Sequence, residues 1–250
     1  MAQIEWTRAS QDQLEARKAF REMYINTPIP IEDIFVNFGL YMRSSYLANV
    51  LCMNEIYEMI IPIPGVIMEF GTWWGSNLSL FHNLRGVHEP YNYSRKVIGF
   101  DTFTGYPDIL KEEDKNSPWL KTGNYAVPKD YKTYLEQVLG YHEKENPLPH
   151  KKKFDLVQGD VTKTLPQYLK DHPETIVAMA FLDLGIYEAT KKTLETLKPR
   201  LVKGSVLVFD EINCPEMPGE TTALMEVFGL DKYRIVRSKF TPDRNFLIIE

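Results

Sequence analysis

Seven short apolar, β-rich runs punctuate the chain from residue 66 onward, and most are separated by a stretch with helical patterning. The runs are Val66–Gly71, Lys96–Thr102, Phe154–Asp160, Ile176–Leu184, Ser205–Glu211, Tyr233–Ser238 and Asn245–Glu250. Helical segments at Ser76–Arg85, Leu165–Lys170, Glu188–Leu201 and Glu220–Phe228 can carry the chain from one end of a sheet back to the other. Parallel neighbours require such crossovers. The last two runs are joined only by Lys239–Arg244, which includes Pro242 and Asp243. That link is too short for a crossover helix, so the final pair must be an antiparallel hairpin. The expected fold is α/β, a seven-stranded, largely parallel sheet covered by helices and closing on an antiparallel hairpin.

With 250 residues, 44% of them hydrophobic and 25% charged, the chain can bury one sizeable core plus a small cap. Residues 1–61 read as the cap, a helical segment suited to oligomer contacts. There Tyr46, Leu47, Val50, Leu51, Asn54, Tyr57 and Ile60 recur at helical spacing until Pro62 stops the pattern. Residues 62–250 carry the sheet. Inside them, the excursion over 105–153 is rich in Lys, Glu, Asn and Pro, with a helical stretch near Lys129–Tyr141; its length suits a lid or substrate wall. The net charge of −5 argues against a nucleic-acid partner. Lys151, Lys152 and Lys153 read as a solvated loop ahead of a strand. Cys52 and Cys214 lie far apart without metal-type spacing, which suggests reduced thiols in a cytoplasmic protein. No apolar run is long enough to span a membrane, and Met1–Arg17 is polar rather than signal-like, so no membrane partner is expected.

The chemistry-bearing residues gather where the runs end. Val66 to Asn77 leads from a strand into a glycine-bearing turn and a helix start, an arrangement suited to a nucleotide-like cofactor. Glu69 favours an amino or hydroxyl donor over a phosphate. Asp101, 30 positions beyond Gly71, can accept both ribose hydroxyls. The dinucleotide fingerprint uses G-x-G-x-x-G and an acid about 20 positions on. Here bulky Trp73 and Trp74 occupy the turn and leave little room for a pyrophosphate. Asp160 can accept from an adenine amino group while Val161 packs on the ring; equally, Asp160 can cap the helix ahead of Leu165, and the two roles are compatible. Asp183, Asp210 and Glu211 bring three carboxylates to adjacent strand ends after apolar runs. Their charges are costly to desolvate unless a cation or hydrogen bonds compensate, and an all-oxygen set suits Mg²⁺. The alternative is that they cap helices. His82, His88, His142, His150 and His172 lie in helical or loop contexts and are weaker leads.

Four ordered blocks then resemble one family, the macrocin O-methyltransferase group of S-adenosylmethionine-dependent sugar O-methyltransferases, and most closely its enediyne deoxysugar type. The blocks are Glu69 through Ser76, Gly99 through Pro107, Gly159 through Pro166 and Leu182 through Thr190. The resemblance implies a class I methyltransferase sheet, with S-adenosylmethionine as cofactor and S-adenosylhomocysteine as product. It implies a cofactor set of Arg43, Glu69, Gly71, Thr72, Gly75, Ser76, Asp101, Thr102, Phe103, Asp160, Val161 and Asp183. It also implies Mg²⁺ on Asp183, Asp210 and Glu211, with Asp183 as general base. Two positions depart from the family pattern: Gly185 stands where an Asp is common, and Glu211 where a second Asp is common. The expected acceptor is a hydroxyl of a sugar on a natural product or a nucleotide sugar. Its selectivity is expected from residues 105–153 and 213–220. The aromatic N-terminal helices point to a homodimer or larger assembly. Competing readings are an NAD-dependent oxidoreductase and a non-catalytic S-adenosylmethionine-binding scaffold.

Overall fold

The structure, a computed structural model, describes residues 9–108, 114, 117 and 119–250. Contacts divide the chain into two compact units, Met1–Asn49 and Val50–Glu250.

The first unit is helical. Helix α1 (Gln11–Ile25) starts with a reciprocal cap, in which the Ser10 hydroxyl accepts from Gln13 N–H and the Gln13 side chain accepts from Ser10 N–H. It is followed by the short α2 (Ile31–Ile34), a 3₁₀ turn at Phe38–Tyr41 and the start of α3 (Ser44–Ile60). Tyr41 ties this unit together, donating to Thr27 at 2.6 Å and packing edge-on to Tyr24. Ile34 is the one fully buried side chain among the unit's described residues, whereas Ile25, Phe35, Val36 and Leu40 are exposed.

The second unit holds the expected sheet. Its strands are β1 (Val66–Phe70), β2 (Val97–Asp101), β3 (Phe154–Gln158), β4 (Val177–Leu182), β5 (Leu201–Phe209), β6 (Arg234–Arg237) and β7 (Asn245–Ile248). They lie in the order β3-β2-β1-β4-β5-β7-β6. The five strands from β3 to β5 are parallel; β7 inserts antiparallel between β5 and β6, forming the short hairpin. The chain fills one side of β1 with β2 and β3, then returns to the other side with β4 and β5. The β1/β4 border is therefore the switch point, where ligands bind in open α/β sheets. Every residue of β1 and β4 is buried, as strands covered on both faces must be.

Helices α4 (Ser76–His88) and α5 (Tyr131–Glu145) share one apolar cluster with the C-terminal part of α3; α6 (Val161–Asp171), α7 (Tyr187–Leu197) and α8 (Gly219–Val227) share the other. Three local departures from expectation have physical causes. Helix α6 begins at Val161, four residues earlier than its apolar pattern, because the Asp160 side chain accepts from Thr162 N–H and caps it. Helix α3 buries Cys52, Met53, Ile56, Tyr57 and Ile60, while Tyr46, Leu47 and Leu51 of the predicted stripe stay exposed. Lys153 is fully buried rather than solvated, because its ammonium pairs with Glu143 and donates to the carbonyls of Leu148 and Lys151. Lys151 and Lys152 are exposed, as expected.

A buried Arg95 fixes the entry to β1. It donates to the carbonyls of Ile60, Ile63 and Gly65, and pairs with Glu89 at 2.8 Å. Glu89 also accepts from Tyr57 at 2.7 Å. Glu89 thereby locks the end of α3 to the segment after α4.

Candidate active site

The C-terminal edge of the sheet carries the predicted residues in spatial sequence. Backbone bonds between successive strand ends set their spacing: Asp101 C=O accepts from Gly159 N–H, Phe100 C=O from Gly71 N–H, and Phe70 C=O from Asp183 N–H, each at 2.9 Å. The Gly71 turn and the Asp183 strand end consequently touch. A Cβ at Gly71, whose φ is +90°, would lie 2.0 Å from the Asp183 carbonyl oxygen, so only glycine fits. Gly75, at φ +75°, is the N-cap of α4, and Ser76 is its first residue.

Glu69 lies wholly buried at the end of β1. Burial, reinforced by the charges of Asp183 and Asp101, pushes its carboxyl well above the usual range; the Thr72 and Asn77 side chains pull the other way. Its Oε2 has no hydrogen-bond partner, an orphaned acceptor that suits a cationic or N–H donor. Asp101 already accepts from Trp73 N–H at 2.7 Å and Phe103 N–H at 2.6 Å. It thus ties the end of β2 to the Gly71 turn while keeping lone pairs for further donors. Thr102 donates to Gly105 C=O, and Phe103 is buried in the core with a left-handed backbone. Asp160 serves as the cap of α6 and pairs with Lys163 at 3.3 Å, with its side chain half exposed. Val161 is buried in the cluster beneath α6. Arg43 belongs to the N-terminal unit, where its carbonyl accepts from Tyr46 and Leu47 at the start of α3.

Asp183, Asp210 and Glu211 converge, each offering an oxygen within 4.8 Å of the others. Burial lifts Asp183 above the ordinary carboxyl range, with nearby Asp101 adding to the effect and Arg244 opposing it. Glu211 is raised more strongly, to about 9, first by burial and then by Glu220, Asp183 and Asp243. Glu220, the second residue of α8, is fully buried; one oxygen accepts from Glu211 N–H at 2.7 Å and the other is orphaned. Glu211 Oε2 is orphaned too. Crowded, under-compensated carboxylate oxygens form a hard-oxygen donor set, so these residues fit Mg²⁺.

Sequence reasoning did not find Arg244 or Glu220. Arg244 pairs with Asp210, and its guanidinium lies 5.4 Å from the centre of the Phe181 ring. The signal for it is the β5/β7 register: Asn245 pairs with Phe209, which sets Arg244 opposite Asp210. That register follows only once β7 is known to insert beside β5. The two segments expected to select an acceptor do meet. Tyr106, Trp119 and Leu120 from one pack with Cys214 and Met217 from the other, against Ile186. Gly185, at φ +63°, faces the same cluster, and a Cβ there would lie 2.6 Å from Met217 Cε and 2.9 Å from Tyr106 Oη. The family's acidic side chain would enter here only if Met217 and Tyr106 shifted, and against a left-handed backbone.

A parallel sheet with switched strand order, an antiparallel seventh strand and acid-lined strand ends defines the Rossmann-like methyltransferase fold. A family model described as a methyltransferase domain matches residues 68–212, and the chain belongs to that family. Its fold matches the crystal structure of CalS11, calicheamicin methyltransferase, with a TM-score of 0.93 and 40% identity over 97% of this chain and 94% of that one. An apo structure of CalS11, described as a TDP-rhamnose 3'-O-methyltransferase of calicheamicin biosynthesis, matches with a TM-score of 0.85 and 37% identity over 97% and 96%. The chain is also 27% identical over 157 residues to the 8-demethyl-8-(2,3-dimethoxy-alpha-L-rhamnosyl)-tetracenomycin-C 4'-O-methyltransferase of Streptomyces olivaceus, covering 60% of this chain and 53% of that protein. It spans about half the length of the curated relatives it matches. Among the described residues no helix is long and apolar enough to cross a membrane.

Proposed function

We propose that this protein is an S-adenosylmethionine-dependent O-methyltransferase acting, with Mg²⁺, on a hydroxyl of a sugar carried by a natural product or a nucleotide. The observation that carries the reading is the convergence of Asp183, Asp210 and Glu211 beside the Gly71 turn, at the switch point of the sheet. The sugar is supported by the relatives whose names contain TDP-rhamnose and a rhamnosyl group.

S-adenosylmethionine supplies an electrophilic methyl group on a sulfonium and leaves as S-adenosylhomocysteine. The orphaned Glu69 oxygen fits a cationic amine, and the turn of Gly71, Thr72, Gly75 and Ser76 allows close backbone approach. In this reading Asp101, Thr102 and Phe103 take the ribose end and Asp160 and Val161 the base; Arg43 is assigned a carboxylate by the family resemblance alone. Mg²⁺ held by Asp183, Asp210 and Glu211 would favour ionisation of a bound hydroxyl. With the cofactor bound, its sulfonium methyl would pass to the acceptor oxygen and Asp183 would take the hydroxyl proton. Before a metal ion binds, burial raises that group's proton affinity above that of a free carboxylate. Positioning of the two reactants supplies much of the remaining acceleration.

Residues 1–61 act in this reading as a cap and oligomer contact, and the protein is cytoplasmic and at least dimeric; the exposed apolar side chains of the first unit support the contact role.

Calorimetric titration with S-adenosylhomocysteine, run beside NAD and repeated with EDTA, tests the reading. Micromolar binding of the homocysteine nucleoside alone supports it. Binding of NAD would favour an oxidoreductase, and cofactor binding without turnover on any sugar acceptor would favour a scaffold.

A further inference from the structure

A chain of aromatic rings runs from solvent to the acidic cluster. Trp73 is 42% exposed and meets Tyr125 edge-on at 5.4 Å; Tyr125 meets Tyr106 edge-on at 5.4 Å. Both phenols at the inner end lie close enough to Asp183 and Glu211 to feel their charge. The Tyr106 hydroxyl faces Gly185, two residues beyond Asp183.

Two backbone features show that this wall is imposed rather than incidental. Trp73 has a φ of +48° and Tyr125 a φ of +64°, a left-handed conformation that bulky side chains avoid. Such strain persists where the surrounding structure over-determines it, and it collects at ligand sites. At Trp73 the constraint is visible: its N–H is held by the Asp101 carboxylate. The strand-to-helix turn, the long excursion and the loop before α8 each contribute to the wall or to the Tyr106 cluster behind it.

We propose that Trp73, the exposed member of this wall, is the stacking face for the apolar C–H side of an uncharged pyranose ring, with Tyr125 and Tyr106 set edge-on behind it as the inner wall, while the reacting hydroxyl reaches Asp183. This rests on the methyl-transfer reading and assigns to it residues that determine specificity. Aromatic faces take the C–H side of a ring, and the few polar groups at the inner end fix its orientation, the usual division of labour in small-molecule sites. The Tyr106 and Tyr125 hydroxyls serve as donors to the sugar hydroxyl oxygens beside the reacting one. Gly185 leaves the Tyr106 hydroxyl its place, which gives the departure from the family's acid a function in binding.

The test is saturation-transfer NMR on the full chain with S-adenosylhomocysteine and Mg²⁺, using methyl α-L-rhamnopyranoside and methyl α-D-glucopyranoside as probes. Transfer should be strongest to C–H groups on one face of the ring. Trp73→Ala and Tyr125→Ala should each weaken probe binding about tenfold, with Trp73→Phe retaining most of it. S-adenosylhomocysteine affinity, measured by calorimetry on Tyr125→Ala, which lies outside the Gly71–Ser76 turn, should stay within about twofold and report an intact fold. Unchanged probe binding in both alanine variants, or no transfer to either probe while the cofactor product binds, overturns the stacking assignment and leaves methyl transfer standing. Failure of the wild-type chain to bind S-adenosylhomocysteine sinks the methyl-transfer reading and the stacking assignment with it.

Discussion

Arg244, at the end of the β6–β7 turn, closes its guanidinium onto the carboxylate of Asp210, the residue directly after β5. The acidic site therefore contains a cation of its own, which the charge of Asp183 also helps to hold. A divalent ion that takes Asp210 as a ligand must share that carboxylate with Arg244 or displace it. Arg244→Gln is expected to raise the affinity for Mn²⁺ about tenfold, read by the loss of the free-ion EPR signal. Equal or weaker Mn²⁺ binding in the variant would show that the two cations do not compete.

Asp183 occupies the junction of the Gly71 turn and the carboxylate cluster. If it accepts the acceptor's proton, Asp183→Asn should lower kcat by about 10²-fold or more, the range of general acid–base catalysis. S-adenosylhomocysteine binding should persist, because the backbone bond from Asp183 N–H to Phe70 C=O survives the change. Near-normal turnover would remove Asp183 from the chemistry.

Gly185 combines a left-handed backbone with close neighbours in Met217 and Tyr106. Gly185→Ala is expected to destabilise the fold by about 1–2 kcal/mol, visible as a lower Tm. Gly185→Asp should cost more, since it buries a charge against Met217, Tyr106 and Leu120. A variant melting at the wild-type temperature would contradict this packing.

His82 is buried on α4 near the positive charges of Arg85 on its own helix and Lys153 ahead of β3, and near the His142 imidazole of α5. Glu143 of α5 lies 3.8 Å away. Burial is the first cause, and those positive charges the next, of a pKa lowered to about 3. The unfolded chain takes up a proton near pH 6.5 that the folded chain refuses until about pH 3. Stability contributed by neutral His82 is thus present above pH 6.5 and lost as pH falls toward 3. By pH 5 the loss should reach about 2 kcal/mol. Urea unfolding of wild type and His82→Leu at pH 7 and pH 5 isolates this share; equal pH slopes in the two proteins would refute it.

The alternation of apolar runs and helical patterns was enough to define the sheet, because strands buried on both faces must be apolar throughout and parallel neighbours need crossovers. The short Lys239–Arg244 link likewise required the hairpin. Motif positions placed Asp183, Asp210 and Glu211 at strand ends, and strand ends of a parallel sheet share one edge. What the chain could not disclose by itself depends on contacts between distant segments. Arg244 lies 34 positions beyond Asp210 and meets it only because β7 inserts beside β5. Lys153 looks like part of a solvated basic run, yet it is buried because Glu143, on a helix earlier in the chain, waits for it. Glu220 reads as an ordinary helix-start residue until its carboxyl accepts from Glu211 N–H. Local pattern specifies which backbone groups must pair and which faces must be covered. The compensation of each buried charge is settled only when tertiary packing brings its partner within reach.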